Sequence, residues 1–363
     1  MSRALPDPGR GTVLGLAGPL TLLALLLCAA STAPSVHAAP TRLGGRADTA
    51  ALALLQRAST APTRVAYQGV QFVSAWNDTA ATSMVVQIDH RPGYGTTVHS
   101  ASTGQGPAAD TFLPAGQAEP SVLGLASTLQ LLAGNYTVIS AGRRTVSGRP
   151  ADLVEARWPG TGRPAARFWI DAATGLVLRR EVYDQRGRIT RASAFVEIEV
   201  GATTGPLHLP PAMPTPWSQE VNYSGRETLR SAGWTCPDAL PGPLTLVDAR
   251  RGRQGAGMIL HLSYSDGLAT VSLFEQRGRL DTGKLDGYRR TRNQGHTVYV
   301  RDGVPARITW SAQGTVFTVV ADAPPRTVDR VVAALPHARE ESGGWHRLGR
   351  GLNRVASWFN PFG

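Results

Sequence analysis

Residues 166–200, ARFWIDAATGLVLRREVYDQRGRITRASAFVEIEV, decide the fold. Three strand-like runs, Ala166 to Asp171, Leu176 to Tyr183 and Ile189 to Val200, are separated by Asp171-Ala-Ala-Thr-Gly175 and Asp184-Gln-Arg-Gly187. In such joints Gly supplies positive φ and Asp bonds the backbone beyond it. Loops this short join strands that pair antiparallel. The period-2 alternation predicts Phe168, Ile170, Leu176, Leu178 and Val182 on one face and Arg167, Asp171, Arg179 and Glu181 on the other. A sheet with one apolar and one solvated face covers a helix or a ligand.

Working outward, two more strand-like runs, Tyr136 to Arg143 and Ala151 to Trp158, meet at Ser147-Gly148-Arg149-Pro150 and complete a five-stranded meander. Before it, Ser121 to Ala133 has helical spacing, with Val122, Leu125, Ala126, Leu129, Leu132 and Ala133 on one face and Leu123 and Leu131 off it. A helix apolar on more than one side is buried. Two readings stay open: plain core, or the wall of a hydrophobic cavity. On the second, Leu125, Leu129, Leu132, Phe168, Ile170, Leu176 and Leu178 line the cavity. Further upstream lie a short helix capped at Asp48-Thr49, strands at Val65 to Ala75, Ser83 to His90 and Thr96 to His99, and a Gly/Ala/Pro-rich loop from Ser100 to Pro120.

Downstream, Gly201 to Pro216 carries Pro206, Pro210, Pro211, Pro214 and Pro216. That density excludes helix interior and central strand and predicts a domain boundary. From about Trp234, strand-like runs at Leu244 to Ala249, Met258 to Ser265, Leu268 to Phe274, His296 to Arg301, Ala306 to Ser311 and Thr315 to Ala321 precede a helix opening at Pro324-Pro325. Val328, Val331, Val332 and Leu335 repeat along that helix. This predicts a smaller α+β domain.

The N-terminus reads as a secretory signal: Arg3 and Arg10, an apolar run from Val13 to Ala30, then Ser35-Val36-His37-Ala38. The expected mature chain begins at Ala39. A membrane anchor is the alternative, but Gly15, Gly18 and Pro19 interrupt a run already short of the ~20 residues a spanning helix needs. Removing the signal takes Cys28 with it and leaves Cys236 alone, so no intrachain disulfide can form. The net charge of +11 comes almost wholly from arginine, Lys284 being the sole lysine. A positive field favours acidic partners. In an exported protein these are lipid head groups, envelope polymers or an acidic protein segment, and nucleic acid is not expected.

No enzyme signature is present: there is no Gly-x-Ser-x-Gly elbow, no phosphate loop, no Gly-x-Gly-x-x-Gly and no His-Glu-x-x-His. The expectation is therefore no catalytic residue, no metal ligand set and no cofactor. His90 and His99 could meet across a hairpin, although structural histidines are commoner than metal pairs.

The runs Gly142 to Ala151, Arg167 to Leu176, Tyr183 to Gly187 and Phe195 to Gly201 resemble the N-terminal domain of MucB/RseB proteins. Tyr264-Ser265-Asp266-Gly267-Leu268 through Phe274 resembles that family's C-terminal domain. The resemblance implies an α+β protein: a LolA-like antiparallel half-barrel wrapped on helices, plus a smaller α+β C-terminal domain. The segments expected are a signal peptide (1–38), a LolA-like N-terminal domain (39–205), a Pro-rich linker (206–233), a C-terminal domain (234–337) and a basic tail (338–363). It further implies a non-enzymatic regulator of an extracytoplasmic-function sigma factor. Such a protein sits at the outer face of the cytoplasmic membrane, in the periplasm or cell-wall space. It binds the extracytoplasmic domain of an anti-sigma factor and responds to a lipid or acyl chain. A lipid or lipoprotein carrier of the LolA-like class is the alternative. Tyr264, Ser265, Asp266 and Gly267 are the candidate partner-binding turn, although Asp-Gly is also a plain hairpin signal.

After residue 343 the chain departs from that pattern. At ~100° per residue, Trp345, Leu348, Leu352, Val355, Ala356 and Phe359 form one stripe, with Arg347, Arg350 and Arg354 opposite and Trp358 at the border. A basic amphipathic helix reads as lying on an anionic membrane surface or docking in a groove. Packing on its own domain is the alternative.

Overall fold

The computed structural model describes residues 48–78, 80–100, 109–114, 126–201, 219–254 and 257–338. The signal segment, Leu125 and the whole tail from Trp345 to Phe359 lie outside the described residues. Among the described residues no helix is long and apolar enough to cross a membrane.

Helix α1, Thr49–Thr60, begins where the sequence predicts, because the Asp48 carboxylate accepts the Ala50 N–H at 2.9 Å and so satisfies one orphan donor of the first turn. Its buried residues are Ala51, Leu55 and Ala58. Strands β1 (Tyr67–Trp76), β2 (Ala81–Arg91), β3 (Gly95–Ser100) and β4 (Ala109–Pro114) follow, then α2 (Ala126–Asn135). The meander is β5 (Thr137–Val146), β6 (Arg149–Arg157), β7 (Pro164–Asp171), β8 (Val177–Tyr183) and β9 (Ile189–Val200). Hydrogen bonding orders these nine strands β4-β3-β2-β1-β9-β8-β7-β6-β5, antiparallel throughout. Two meanders are thus joined by the pairing of β1 with β9, from Tyr67↔Val200 to Ala75↔Arg191.

The two helices pack on one face of this sheet. Ala51, Leu55, Leu129 and Leu132 share a core with Val138, Val154, Phe168 and Ile170. Arg57, in the last turn of α1, donates to the carbonyls of Ala172 and Ala173 at 3.0 and 2.6 Å and fixes the helix on the β7–β8 turn. The opposite face is less solvated than its composition suggests. Glu155, Asp171 and Glu181 are buried there beneath arginines. Arg157 and Arg167 both reach Glu155, at 2.7 and 2.8 Å, Arg149 takes Asp171 in a two-pronged pair, and Arg179 and the Tyr183 hydroxyl both meet Glu181.

The predicted alternation fails at one residue. The β7–β8 register runs Phe168↔Arg180 and Trp169↔Arg179, then slips to Ile170↔Val177. That bulge turns Leu178 away from Phe168, and it packs with Ala151, Leu153 and Trp169 on the other face. A further difference is β4, which occupies part of the stretch expected to be a loop.

The second sheet comprises β10 (Gln219–Glu220), β11 (Thr245–Gln254), β12 (Gly257–Ser265), β13 (Thr270–Arg277), β14 (Arg289–Asn293), β15 (His296–Arg301), β16 (Ala306–Ala312) and β17 (Thr315–Asp322). Its order is β10-β11-β12-β13-β17-β16-β15-β14. Helices α3 (Tyr223–Ser231) and α4 (Pro325–Ala334) contribute Leu229, Val328, Val331 and Val332 to a core built on Leu260, Leu262, Tyr264, Trp310 and Val319. The stretch 206–233, expected to be linker, therefore already holds β10 and α3. The Asn222 side chain accepts the Gly225 N–H at 2.9 Å to start that helix.

Candidate functional site: a cleft between the two sheets

The second sheet meets the first at a buried turn. Asp266 Oδ1 accepts the N–H groups of Leu268 and Ala269 at 2.8 and 2.7 Å, closing the turn on itself. Its Oδ2 accepts the Tyr136 hydroxyl at 2.9 Å, and its carbonyl accepts Asn135 Nδ2 at 2.9 Å. Leu268 is buried in the core of α1, α2 and the meander. Gly267 has φ +102°, and a Cβ there would stand 2.4 Å from the backbone nitrogen of Leu132. Only glycine allows both that conformation and that approach. Burial pushes the Asp266 carboxyl above its ordinary range against the pull of its N–H donors, and burial beside Asp266 pushes the Tyr136 hydroxyl well up.

Tyr264, Ser265, Asp266 and Gly267, the candidate partner-binding turn, are all buried inside the chain. Tyr264 donates to the Pro237 carbonyl at 2.7 Å, and Ser265 Oγ accepts the Gly267 N–H at 3.0 Å. Asp266 and Gly267 join the chain's own two sheets, and Tyr264 and Ser265 brace the turn from within the second.

A second point of contact lies at the far ends of β1 and β9. Asn77 Nδ2 donates to the Gly303 carbonyl at 2.8 Å, and Arg191 forms an ion pair with Asp322. Between the two contacts opens a cleft of about 430 Å³. Tyr136, Trp158 and Val182 wall it from the first sheet, and Leu268, Val298 and Val328 from the second. Arg188 stands at its rim, bonded to both Asp78 and Asp184 at 2.8 Å. The Tyr136 and Trp158 rings meet edge-on at 5.2 Å, and Trp158 Nε1 has no acceptor among the described residues. Chemically this is a slot with apolar and aromatic walls, one spare hydrogen-bond donor in Trp158 Nε1 and a charged rim, suited to an amphipathic occupant.

The described residues among those expected to line a lipid cavity fall in three clusters. Leu129, Leu132, Phe168 and Ile170 share the core under the helices, Leu176 packs with Tyr67, Val73 and Phe195, and Leu178 lies on the opposite face. Of the two readings left open for this helix, the packing matches core. The residues that do line the cleft are spread over the chain, and no local motif marks them. Nor do His90 and His99 meet: His90 pairs with Thr96 in register, stacks on Tyr67 and bonds to Thr96 Oγ1 and the Pro62 carbonyl. Among the described residues no three His, Cys, Asp or Glu side chains converge as a metal site.

Comparison with known proteins points one way. The family model for the MucB/RseB N-terminal domain matches residues 100–213. The sigma factor AlgU regulatory protein MucB of Pseudomonas aeruginosa is 26% identical over 205 residues. That match takes in 56% of this chain and 61% of the relative, so the chain spans about three-fifths of the curated relative's length. Among solved structures, a crystal structure of MucB is 18% identical, covering 80% of this chain and 98% of its own, with a TM-score of 0.52. A complex of Pseudomonas aeruginosa MucA and MucB is 19% identical, covering 78% and 97%, with a TM-score of 0.48. At this identity the structural likeness is one of fold. Residues 100–213 thus match the MucB/RseB N-terminal domain, and the two antiparallel sheets joined as described resemble MucB in fold.

Proposed function

We propose that this chain is an exported, non-enzymatic regulator of a sigma factor. It works by holding the extracytoplasmic domain of a membrane anti-sigma factor, with residues 39–205 and 234–337 acting as two domains. The observation that carries the reading is the cleft, whose walls come from both sheets and whose apolar lining is bordered by both arginines and aspartates. An amphipathic segment with an apolar face and charged flanks of both signs matches that lining. The relative's role in regulating AlgU supports it at the level of the pathway. The place of action on this reading is the outer face of the cytoplasmic membrane, and the basic tail 345–359 provides salt-sensitive attachment to anionic lipid.

The test is co-purification with the outer domain of the single-span anti-sigma protein encoded beside a sigma factor near this gene. Binding at micromolar concentration that is lost in Val182→Asp, a variant on the cleft wall, supports the reading. If no binding occurs while the purified protein carries lipid, the carrier function replaces it. Lipid sensing belongs to the same proposal: an acyl chain entering the cleft would contribute ~0.8 kcal/mol per buried methylene.

A further inference from the structure

Among the described residues the lining of the cleft carries six aspartates and four arginines. Asp78 and Asp184 share the single Arg188, and Asp302 meets Arg289 only at 3.7 Å, with both side chains at least half exposed. Asp329, exposed on α4, takes its hydrogen bond from a neutral group, Asn293 Nδ2 at 3.0 Å. The rim therefore leans acidic. Two polar atoms of the lining residues have no partner among the described residues: Trp158 Nε1, a donor, and Asn293 Oδ1, an acceptor. A methylene chain satisfies neither, whereas a peptide group carries both an acceptor and a donor.

The last described stretch of the chain is fastened beside this rim. Trp310 Nε1 donates to the Pro336 carbonyl at 2.7 Å, and the His337 ring stacks on His296 at 4.2 Å. His296 pairs in register with Asn293, which lines the cleft. From Ala338 to Trp345 an extended chain reaches roughly 23 Å, so the segment that follows has the cleft within its range. That segment, residues 345–359, carries the apolar stripe of Trp345, Leu348, Leu352, Val355, Ala356 and Phe359, with Arg347, Arg350 and Arg354 opposite and no acidic side chain. Its charge is the complement of the rim, and its apolar stripe suits the walls.

We propose that the cleft is the docking site of the chain's own C-terminal segment, residues 345–359. Trp345 and Leu348 would seat between Trp158, Val182 and Val328, and the arginines would meet Asp78, Asp302 and Asp329. A volume of about 430 Å³ admits a few side chains of the stripe and not a whole helix. The docking stands apart from the anti-sigma reading; that it competes with the anti-sigma domain for the cleft rests on that reading. Because the stripe cannot lie in the cleft and in lipid together, attachment of the tail to an anionic membrane would open the cleft.

Fluorescence anisotropy of a labelled peptide 345–359, titrated with the full chain, tests it. Wild type is set beside a variant whose own stripe is broken, Leu348→Asp with Leu352→Asp. A tail on a short linker faces its site at about millimolar effective concentration, so wild type should bind the free peptide at least about ten-fold more weakly than the broken-stripe variant. Added to that variant, Val182→Asp should remove the binding, and Asp329→Arg should weaken it about three-fold or more. If Val182→Asp does not fold, the exposed Asp329→Arg decides alone. Equal binding by wild type and the broken-stripe variant, or no binding by either, overturns the proposal. A gain that neither cleft variant reduces also overturns it and puts the tail elsewhere on the chain. Sedimentation showing a wild-type dimer that the broken stripe dissolves overturns it in favour of a second copy's tail. None of these measurements involves the anti-sigma domain, so their failure leaves the proposed function standing. Docking that holds while the broken-stripe variant binds the anti-sigma domain no better than wild type supports the docking and tells against the cleft as the anti-sigma site.

Discussion

The outer face of the first sheet and the joint between the sheets both bury carboxylates, and they satisfy them in opposite ways. On the outer face the partners are cations. Burial raises Glu155 and Asp171, but hydrogen bonds from Arg157 and Arg167 to one, and from Arg149 and Thr174 to the other, outweigh it and hold both below the ordinary range. At the joint the partners are neutral N–H and O–H groups, and burial wins: Asp266 is pushed up, as is Glu275, which accepts the N–H groups of Thr235 and Cys236 nearby in the second sheet. The difference teaches that the outer face is held by charge and the joint by geometry, so different perturbations should break them.

The largest expected effect is at the joint. Gly267→Ala introduces a Cβ into the backbone of α2 at a positive φ, and overpacking plus strain should cost about 3 kcal/mol. Equilibrium denaturation measures the loss, and small-angle scattering should show a larger radius as the sheets part. Unchanged stability would mean that the two sheets are not tightly seated. Asp266→Ala leaves two backbone N–H groups and the Tyr136 hydroxyl without their acceptor, a loss of about 2–3 kcal/mol. On the outer face, Arg149→Ala exposes a buried Asp171 that keeps its bonds from Thr174, and about 1–2 kcal/mol should be lost. Arg143→Ala, which breaks a pair whose arginine is 66% exposed, should change stability by less than about 1 kcal/mol.

Acid and base separate the two regions by sign. Because Glu155 and Asp171 have folded pKa values below their unfolded ones, their contribution is present above the unfolded carboxylate range. It is lost as pH falls through the folded values. Asp266 and Glu275 are shifted the other way, so theirs is present below the unfolded range and lost as pH rises through the folded values. The stability difference between wild type and Glu155→Gln should therefore shrink on acidification. The difference between wild type and Asp266→Asn should instead move against the wild type as pH climbs above about 4. Parallel curves for the two variants would erase the distinction.

Sequence reading goes far for local features and stops at long-range ones. The cap at Asp48, the buried stripe of α1 and the turns of the meander follow from patterns a few residues long. Leu178 escapes because a bulge changes register without changing composition. Strand β14, Arg289-Arg-Thr-Arg-Asn293, carries no apolar alternation because it is an edge. The joint is invisible for a plainer reason: Tyr136 and Asp266 are 130 positions apart, and Asp-Gly announces a hairpin whether or not a neighbour needs the glycine.

The pairing of β1 with β9 has a kinetic consequence. Gln68 bonds to Glu199 131 positions away, whereas β5 to β9 are linked by short hairpins. Loop closure delays distant contacts, so proteins rich in them fold slowly. The meander should gather first and wait with β9 as an open edge until β1 docks. During that interval the unpaired backbone of β9 can accept a strand from another molecule, which makes dilution during refolding, more than temperature, the condition that decides the yield of native protein.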